Sequence, residues 1–332
     1  MELAKFLVEY GMFLAKLGTI AILLVLAIGA IIVLIMRSKD DLEHLNIKNI
    51  NEKYETLSFM LNSQILSKKG LKQYLKQHKQ EQKEKDKNSA EERKRTFVLD
   101  FKGDIKASTV SSLREEITAI LTIADKKDEV FVVLESGGGT VHGYGLGASQ
   151  LKRICDKGIT LTVAVDKVAA SGGYMMACVA DKIIAAPFAI LGSIGVLAQI
   201  PNFHRLLKKM DIDFEQITAG DHKRTLTLFG ENTDKDREKF KEELEDTHHL
   251  FKDFVKDNRP QIDIDKIATG EHWYGRRAIE LNLIDELITS DDYLTNAAMD
   301  SDVFEVKHER KKPVTEKLIS FGANILSSID GR

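Results

Sequence analysis

A chain of 332 residues, 43% hydrophobic and 30% charged, is long enough to bury a sizeable core and to carry a solvated segment beside it. The net charge of −3, with no basic stripe interleaved with aromatic residues, argues against a nucleic-acid-binding protein. Two cysteines, both inside apolar stretches, are too few for a disulfide framework and form no CxxC zinc pattern.

The amino-terminal part of the chain carries a long apolar run, residues 11–36, interrupted only by Lys16. From Leu17 onward the run supplies roughly the 20 apolar residues that a helix needs to cross a bilayer. A cleaved signal peptide is the alternative, but its apolar core is shorter than this run. We therefore predict a short segment 1–10, a retained transmembrane helix 11–36, and the lipid bilayer as a partner.

The charges around this run bear on its orientation. One lysine precedes it and four basic residues follow it: Lys5 before, and Arg37, Lys39, Lys48 and Lys53 after. Counted literally, the positive-inside rule places the main domain in the cytoplasm. The rule weakens for long translocated domains, so it favours this orientation without deciding it.

Residues 37–95 form a predicted charged linker. Its second half, from residue 66, is almost devoid of large apolar side chains. This composition is typical of a solvated helix or a flexible tether. The alternative is a basic arm that lies on anionic lipid headgroups.

Strand and helix patterns alternate from residue 96 onward. In chain order they are TFVLDFKGDI, the helical VSSLREEITAILTIA, EVFVVLES, a helix through LGASQLKRICDKG, TLTVAVDKVA, and KIIAAP. EVFVVLES is a continuous apolar run, which is typical of a strand buried on both faces. The alternation predicts βαβ units with a parallel sheet, an α/β domain over residues 96–290. Residues 182–200 are apolar, but Pro187, Gly192, Ser193 and Gly195 break them into predicted short strands.

Ser171 stands at the junction of a predicted strand and a predicted helix, directly before two glycines. A helix that begins there points its unpaired N–H groups and the positive end of its dipole at whatever lies in front. A serine in that place can attack a carbonyl while the N–H of Gly172 faces the developing oxyanion. Gly138 or Gly139, after the preceding strand, offers a second donor. The plain alternative stays open, because serine is also a favoured helix N-cap.

Three long segments resemble the bacterial signal peptide peptidase A family of membrane serine proteases. They are VDKVAASGGYMMACVADKIIAAPFAILGSIGV, TAGDHKRTLTLFGENTDKDREKF and ATGEHWYGRRAIELNLIDEL. The similarity includes YGMFLAK near the amino terminus and covers nearly the whole chain to about residue 290. Segments of this length make chance agreement a poor explanation.

The resemblance implies a fold of the ClpP/crotonase type and a Ser/Lys dyad. The residues that match the family's site are Ser171 as nucleophile, Lys223 as general base, Ser193 as the hydroxyl that orients the lysine, and Gly139 and Gly172 as oxyanion donors. The chain departs from the pattern at residues 136–139, which read Ser-Gly-Gly-Gly where the family usually has Ser-Pro-Gly-Gly. Losing the proline loosens this turn but leaves its N–H groups in place.

Physical chemistry explains how such a dyad works. A free lysine, with a pKa of roughly 10.4, is protonated at neutral pH. Burial in apolar surroundings disfavours the charged form of a lysine, which can then accept the proton of a serine. Arg224 cannot take this role, because a guanidinium does not deprotonate. Without the resemblance, Lys223 in its polar stretch would be read as a surface lysine.

Other kinds of site receive little support. Nothing in the spacing of the histidines favours a Ser/His pair, and the HExxH metal motif is absent. The resemblance implies no metal, nucleotide or organic cofactor.

The tail after residue 290 has no counterpart in the resemblance. Four of its apolar residues fall on one face of a predicted helix: Leu318, Phe321, Ile325 and Ile329. This pattern favours packing or assembly over residues 291–332, with an interfacial membrane helix as the alternative.

The predicted function is that of a membrane-anchored serine endopeptidase. Its substrates would be peptides or proteins, such as signal peptide remnants or misfolded envelope proteins. The resemblance also implies a homo-oligomeric ring, in which neighbouring copies could complete one site. It further implies that the protein lies in the bacterial inner membrane with its catalytic domain in the periplasm. Two alternatives stay open: a crotonase-type acyl-CoA enzyme and a non-catalytic membrane scaffold.

Overall fold

The computed structural model describes residues 10–25, 27, 29, 44–87, 93–220 and 222–309. The chain divides into two compact units, residues 1–44 with 309–332 and residues 45–308. In the first unit residues 10–25 are helical, α1. Across the described residues, no helix combines the length and the apolar content that crossing a membrane requires. Most of the predicted transmembrane segment beyond residue 25, and the tail from residue 310, lie outside the described residues.

Ten strands and ten helices of the described residues follow one another from residue 44 onward. The strands are β1 (His44–Asn49), β2 (Lys94–Lys102), β3 (Glu129–Glu135), β4 (Thr160–Val165), β5 (Val168–Ala170), β6 (Lys182–Ala185), β7 (Ile190–Gly192), β8 (His272–Tyr274), β9 (Glu286–Leu287) and β10 (Ser301–Glu309). The helices are α2 (Ile50–Ile65), α3 (Lys68–Lys87), α4 (Val110–Leu121), α5 (Val141–Asp156), α6 (Gly172–Ala177), α7 (His204–Lys209), α8 (Asp234–Asn258), α9 (Ile264–Ile267), α10 (Gly275–Ala278) and α11 (Ser290–Asp300).

Seven of the described strands form the main sheet, in the order β1-β10-β2-β3-β4-β6-β9. The pairs from β10 through to β9 are all parallel, and α4 and α5 cross over between neighbouring strands. The predicted α/β fold with a mainly parallel sheet is confirmed. A second sheet of the described residues has the order β5-β7-β8, in which β7 and β8 are antiparallel.

The two faces of the main sheet pack against different cores. Along β3, Val130 and Val132 belong to the large core beneath α4, α5 and α6, whereas Phe131 between them belongs to a smaller core on the other face. Side chains alternate across a strand, so a strand buried on both faces needs apolar residues at successive positions. This packing is the reason for the continuous apolar run in the sequence.

The compact unit is larger than the predicted domain of residues 96–290. Strand β10 from the predicted tail pairs with β2, where Ser301 lies beside Lys94. Asn51, from the predicted linker, donates to the carbonyl of Ser301 at 3.0 Å and accepts from the N–H of Val303 at 2.7 Å. Pairing between segments some 200 positions apart leaves no mark in a local pattern. Helix α3 occupies much of the charged stretch, and most of its described side chains are exposed.

Asp128 ties the start of β2 to the turn before β3. Its fully buried carboxylate accepts hydrogen bonds from the backbone N–H of Arg95 at 3.0 Å, from Arg95 Nε at 3.1 Å, and from the backbone N–H of Asp125 at 2.9 Å. Burial alone raises the pKa of this carboxyl, but the hydrogen bonds from Arg95 and Asp125 bring the pKa below its ordinary value.

A depressed pKa makes the contribution of Asp128 depend on pH. Stabilisation is present above the unfolded-state value of about 3.9 and is lost as pH falls through the lower folded-state value. We expect Asp128→Asn to lower the free energy of unfolding by about 2 kcal/mol at pH 7, and by less at an acidic pH below the folded-state pKa of Asp128. Urea unfolding at both pH values measures the difference, with exposed Asp100→Asn as the control. An equal loss of unfolding free energy at both pH values would show that the charge of Asp128 does not stabilise the fold.

Candidate active site

Ser171 occupies a strained backbone position between β5 and α6. Its φ is 52° and its ψ is −121°, outside the regions that L-residues prefer. Such a conformation costs on the order of 1–3 kcal/mol and persists only where its surroundings enforce it. Here the N–H of Ser171 donates to the carbonyl of Gly192 at 2.8 Å, and its carbonyl accepts from the N–H of Met175 at 3.0 Å. The hydroxyl makes no hydrogen bond to the described part of the chain, and it faces a cavity.

The turn after β3 lies directly against Ser171 and depends on its glycines. Gly138 has a φ of +89°, and a Cβ added there would lie 2.8 Å from the Cβ of Ser171. A Cβ on Gly139 would lie 2.1 Å from the carbonyl oxygen of Ile105, and one on Gly172 would lie 2.4 Å from Cγ of Tyr144. Larger residues at these three positions would push the turn, or α6, away from the serine.

Of the three glycines predicted for the oxyanion and substrate-binding site, two have N–H groups that are free to donate. Within the described residues, the N–H groups of Gly139 and Gly172 have no hydrogen-bond acceptor, and both glycines line the cavity beside Ser171. Gly172 is the first residue of α6, where an N–H has no partner inside the helix. The N–H of Gly138 is already used, because it donates to Oγ of Ser136 at 3.0 Å. Of the two alternatives for the second donor, Gly139 is therefore the one whose N–H is free, and Gly138, with its positive φ, allows the turn.

The cavity in front of Ser171 has a volume of about 600 Å³. Ser193 lines it together with Ser171, so the structure brings the two predicted hydroxyl residues to one site. Ser193 also has a positive φ, 51°, and its N–H donates to the carbonyl of Glu271 at 2.7 Å. Apolar side chains on the other walls include Met175 and Leu197, which suits an uncharged ligand segment.

Lys223 is not part of this cavity within a single chain. It lies in an irregular segment before α8, its side chain is exposed, and its backbone N–H donates to the carbonyl of Gly220 at 3.2 Å. The cavity lining does not include Lys223. The structure therefore assembles the serines and the donors but leaves the predicted base outside.

One wall of the cavity comes from α8, which the sequence did not assign to the site. A capping box, in which Thr233 and Asp236 bond each other's backbone N–H groups, starts this helix. Its buried face then brings Thr247 and Phe251 into the lining. His248, between them, places Nε2 at 3.2 Å from the carbonyl oxygen of Ile194. The amphipathic spacing of α8 reveals its buried face but not the surface that this face covers.

Cysteine chemistry finds no support at this site. Burial raises the pKa of Cys178 to about 12 and that of Cys155 to about 11, so both thiols stay protonated at neutral pH. The described residues also contain no cluster of three or more histidine, cysteine or acidic side chains that could hold a metal ion. The reactive groups gathered in the cavity are hydroxyls and backbone N–H groups.

Comparison with known proteins identifies the family of the chain. Two family models match the chain, "Peptidase family S49 N-terminal" over residues 5–151 and "Peptidase family S49" over residues 153–304. A probable protease SohB from Haemophilus influenzae is 52% identical over 322 residues, covering 94% of this chain and 91% of its own. A probable protease SohB from Buchnera aphidicola is 49% identical over 301 residues, covering 87% of this chain and 98% of its own.

A solved structure of the 1510-N membrane-bound stomatin-specific protease, in a mutant form, also aligns. It covers 61% of this chain and 84% of its own, with 13% sequence identity and a TM-score of 0.41. At that level the structural likeness adds nothing to the sequence comparisons. The family models together span almost the whole chain, and the relatives are about half identical over nearly their full length. The chain therefore belongs to peptidase family S49.

Proposed function

We propose that this protein is a serine endopeptidase that forms an acyl-enzyme on Ser171, with Lys223 as its general base. The observation that carries the proposal is the juxtaposition in one cavity of a strained Ser171, the hydroxyl residue Ser193, and the unpaired N–H groups of Gly139 and Gly172. A serine in a strained strand-to-helix turn, facing two free N–H groups, is suited to acyl transfer.

The reaction would proceed in two halves. Oγ of Ser171 attacks the scissile carbonyl while its proton passes to the uncharged amine of Lys223, and the negative oxygen of the tetrahedral intermediate accepts hydrogen bonds from Gly139 and Gly172. The lysine then gives the proton to the leaving amine, and the peptide bond breaks. Water, deprotonated by the same amine, attacks the acyl-enzyme and releases Ser171 and the carboxyl product.

The exposed position of Lys223 leads us to propose a homo-oligomer in which Lys223 of a second copy completes the site. Many large apolar side chains between residues 197 and 229 are exposed to water; Leu197 is 80% exposed and Ile217 is 94% exposed. The ring centroid of Phe229 lies 6.0 Å from that of Phe203 and 5.7 Å from that of Phe214, yet all three rings remain partly exposed. An apolar surface of this kind is typical of an interface between protein molecules. Enclosure between two copies would also favour the uncharged form that a lysine base needs.

The remaining parts of the proposal follow from the sequence. We propose that the parallel sheet belongs to the ClpP/crotonase class, that residues 11–36 anchor the protein in the bacterial inner membrane, and that the catalytic domain lies in the periplasm. Substrates would be extended peptides, from signal peptide remnants or misfolded envelope proteins, bound beside the glycine turn by strand addition.

A fluorophosphonate probe tests the function directly, because it reacts with an activated serine. We expect labelling of the wild-type protein, with the adduct on Ser171, and at least a roughly 100-fold lower labelling rate for Ser171→Ala and for Lys223→Ala. His248→Ala serves as the matched control, since this side chain stands beside the cavity without a proposed role. Intact labelling of Lys223→Ala together with loss for His248→Ala would replace the Ser/Lys dyad by a Ser/His pair. An unlabelled wild type would favour the acyl-CoA enzyme or the scaffold.

A further inference from the structure

The turn that carries Gly139, one of the two proposed oxyanion donors, contains three successive glycines, residues 137–139. Ser136 before them is firmly held: its N–H donates to the carbonyl of Val168 at 2.8 Å, and its carbonyl accepts from the N–H of Ala170 at 3.0 Å. Gly137 makes no backbone hydrogen bond to the described residues, and a Cβ added to it would meet nothing within 4 Å. Glycine loses more conformational entropy on ordering than any other residue, so this turn needs a restraint from elsewhere.

A chain of hydroxyl groups supplies that restraint. The N–H of Gly138 donates to Oγ of Ser136 at 3.0 Å, and this oxygen lies 2.5 Å from the hydroxyl oxygen of Tyr144. The Tyr144 hydroxyl donates to the carbonyl of Asp104 at 2.8 Å. Because a carbonyl only accepts, the tyrosine proton points to Asp104, and the serine proton must point to the tyrosine oxygen.

The hydroxyl chain is buried, and its direction is fixed from end to end. Ser136 is 2% exposed and Tyr144 is 0% exposed. Each hydroxyl donates one hydrogen bond and accepts one, an arrangement in which neighbouring bonds strengthen each other. Burial also raises the pKa of Tyr144, so its phenol stays protonated and remains a donor.

Tyr144 lies between the two segments that carry the proposed oxyanion donors. Its hydroxyl holds the glycine turn through Ser136, and its ring packs against the start of α6, where a Cβ on Gly172 would lie 2.4 Å from Cγ of Tyr144. Once the N–H of Gly138 is committed to Ser136, the next N–H, that of Gly139, is left unpaired at the cavity wall. One side chain therefore contacts both the turn that carries Gly139 and the start of α6, which carries Gly172.

We propose that Ser136 and Tyr144 are positioning residues that hold the turn of residues 137–139 in its reactive geometry, an inference that rests on the proposed function.

A proline at position 137 would restrain the same turn by another route. The φ of +89° at Gly138 is that of the third residue of a type II turn, whose second residue is favourably proline. This is the position at which the sequence carries glycine in place of the family's proline.

The test compares Ser136→Ala, Tyr144→Phe and the double variant Ser136→Ala/Gly137→Pro in the full-length protein. The phosphonyl oxygen of a fluorophosphonate adduct takes the place of the oxyanion, so its labelling rate reports on the donors. We expect Ser136→Ala and Tyr144→Phe to lower both kcat and the labelling rate by about 10–100-fold, with KM within about threefold of wild type. Adding Gly137→Pro to Ser136→Ala should recover at least about tenfold, because proline restricts the loosened turn.

Two measurements separate positioning from folding. Ser149→Ala is the matched control, since this exposed hydroxyl donates to the carbonyl of Gly145 on the same helix as Tyr144, and we expect wild-type kinetics from it. Hydrogen exchange at the Gly138 amide should accelerate in Ser136→Ala while the melting temperature falls only slightly.

The labelling rates distinguish failure of the positioning role from failure of the proposed function. If the wild type is labelled on Ser171 and Ser136→Ala reacts at the same rate, the positioning role is wrong and the dyad stands. A folded Ser136→Ala protein that proline does not rescue also overturns the inference. If the wild type is not labelled at all, the proposed function falls and the inference falls with it.

Discussion

Mixing the Ser171→Ala protein with the Lys223→Ala protein is expected to restore a peptide hydrolysis that neither protein shows alone. Each replacement removes one member of the proposed dyad and should lower kcat by at least about 10³-fold. Lys223 is exposed and lies outside the cavity of its own chain. If a neighbouring copy supplies it, a site works whenever an intact serine meets an intact lysine. In a closed ring assembled at random from equal amounts of the two variants, about half of the sites contain an intact Ser171, and about half of those receive an intact Lys223 from the neighbouring copy. We therefore expect about a quarter of the wild-type activity.

Co-expression of the two variants, followed by purification and an assay on an extended peptide, measures this recovery. The control pairs Ser171→Ala with the double variant Ser171→Ala/Lys223→Ala, because that mixture contains no intact nucleophile and should stay inactive. A mixture of the two single variants that is no more active than either one places both residues in the same copy. In that case the irregular segment before α8 would have to move Lys223 into its own cavity.

Replacing Arg259 is expected to cause a large loss of stability that does not depend on catalysis. Its side chain is 4% exposed and forms a two-pronged pair with Asp285, with Nη1 and Nη2 at 2.9 and 2.7 Å from the two carboxylate oxygens. Nη2 also donates to the carbonyl of Asn282 at 3.1 Å. Asp285 in turn accepts from the N–H of Ile183 at 2.7 Å, so the pair joins the end of α8 to β6. Arg259→Ala leaves this carboxylate without its counter-charge.

We expect Arg259→Ala to lower the free energy of unfolding by about 3 kcal/mol, the low end for a broken buried pair, because Asp285 keeps partial contact with water. For a unit of this size that corresponds to a melting temperature lower by roughly 6–12 °C. Arg277→Ala is the matched control: its pair with Glu280, at 3.0 Å, is exposed on both sides, and its loss should cost less than about 0.5 kcal/mol. Equal melting temperatures for the two variants would show that the Arg259 pair contributes no net stability.

Several elements were readable from local pattern because burial imposes a period on a chain. The continuous apolar run EVFVVLES predicts a strand buried on both faces, and β3 packs against both cores. The spacing of Leu113, Ile117 and Ile120 predicts a helix with one buried face, and all three are buried on α4. The junction at Ser171 was visible because glycines surround it: Gly138 has a positive φ, and a Cβ on Gly139 or Gly172 would clash with neighbouring atoms.

Contacts between distant segments were not readable in this way. The hydroxyl chain from Ser136 through Tyr144 to Asp104 joins three elements, and none of these residues stands out in its own segment. The wall contributed by Thr247 and Phe251 depends on where α8 lies, not on its amphipathic spacing. Gly138 was a candidate donor in the sequence, and only its hydrogen bond to Ser136 shows that its N–H is used elsewhere.

The amino-acid sequence alone determined the class of fold and the strand-to-helix junction that holds Ser171, because local sterics and side-chain periodicity govern both. The three-dimensional structure decided which groups meet: the pairing of β10 with β2, the two free N–H groups beside Ser171, and the position of Lys223 outside the cavity. Those relations depend on contacts between residues far apart in the chain, and no local period encodes them.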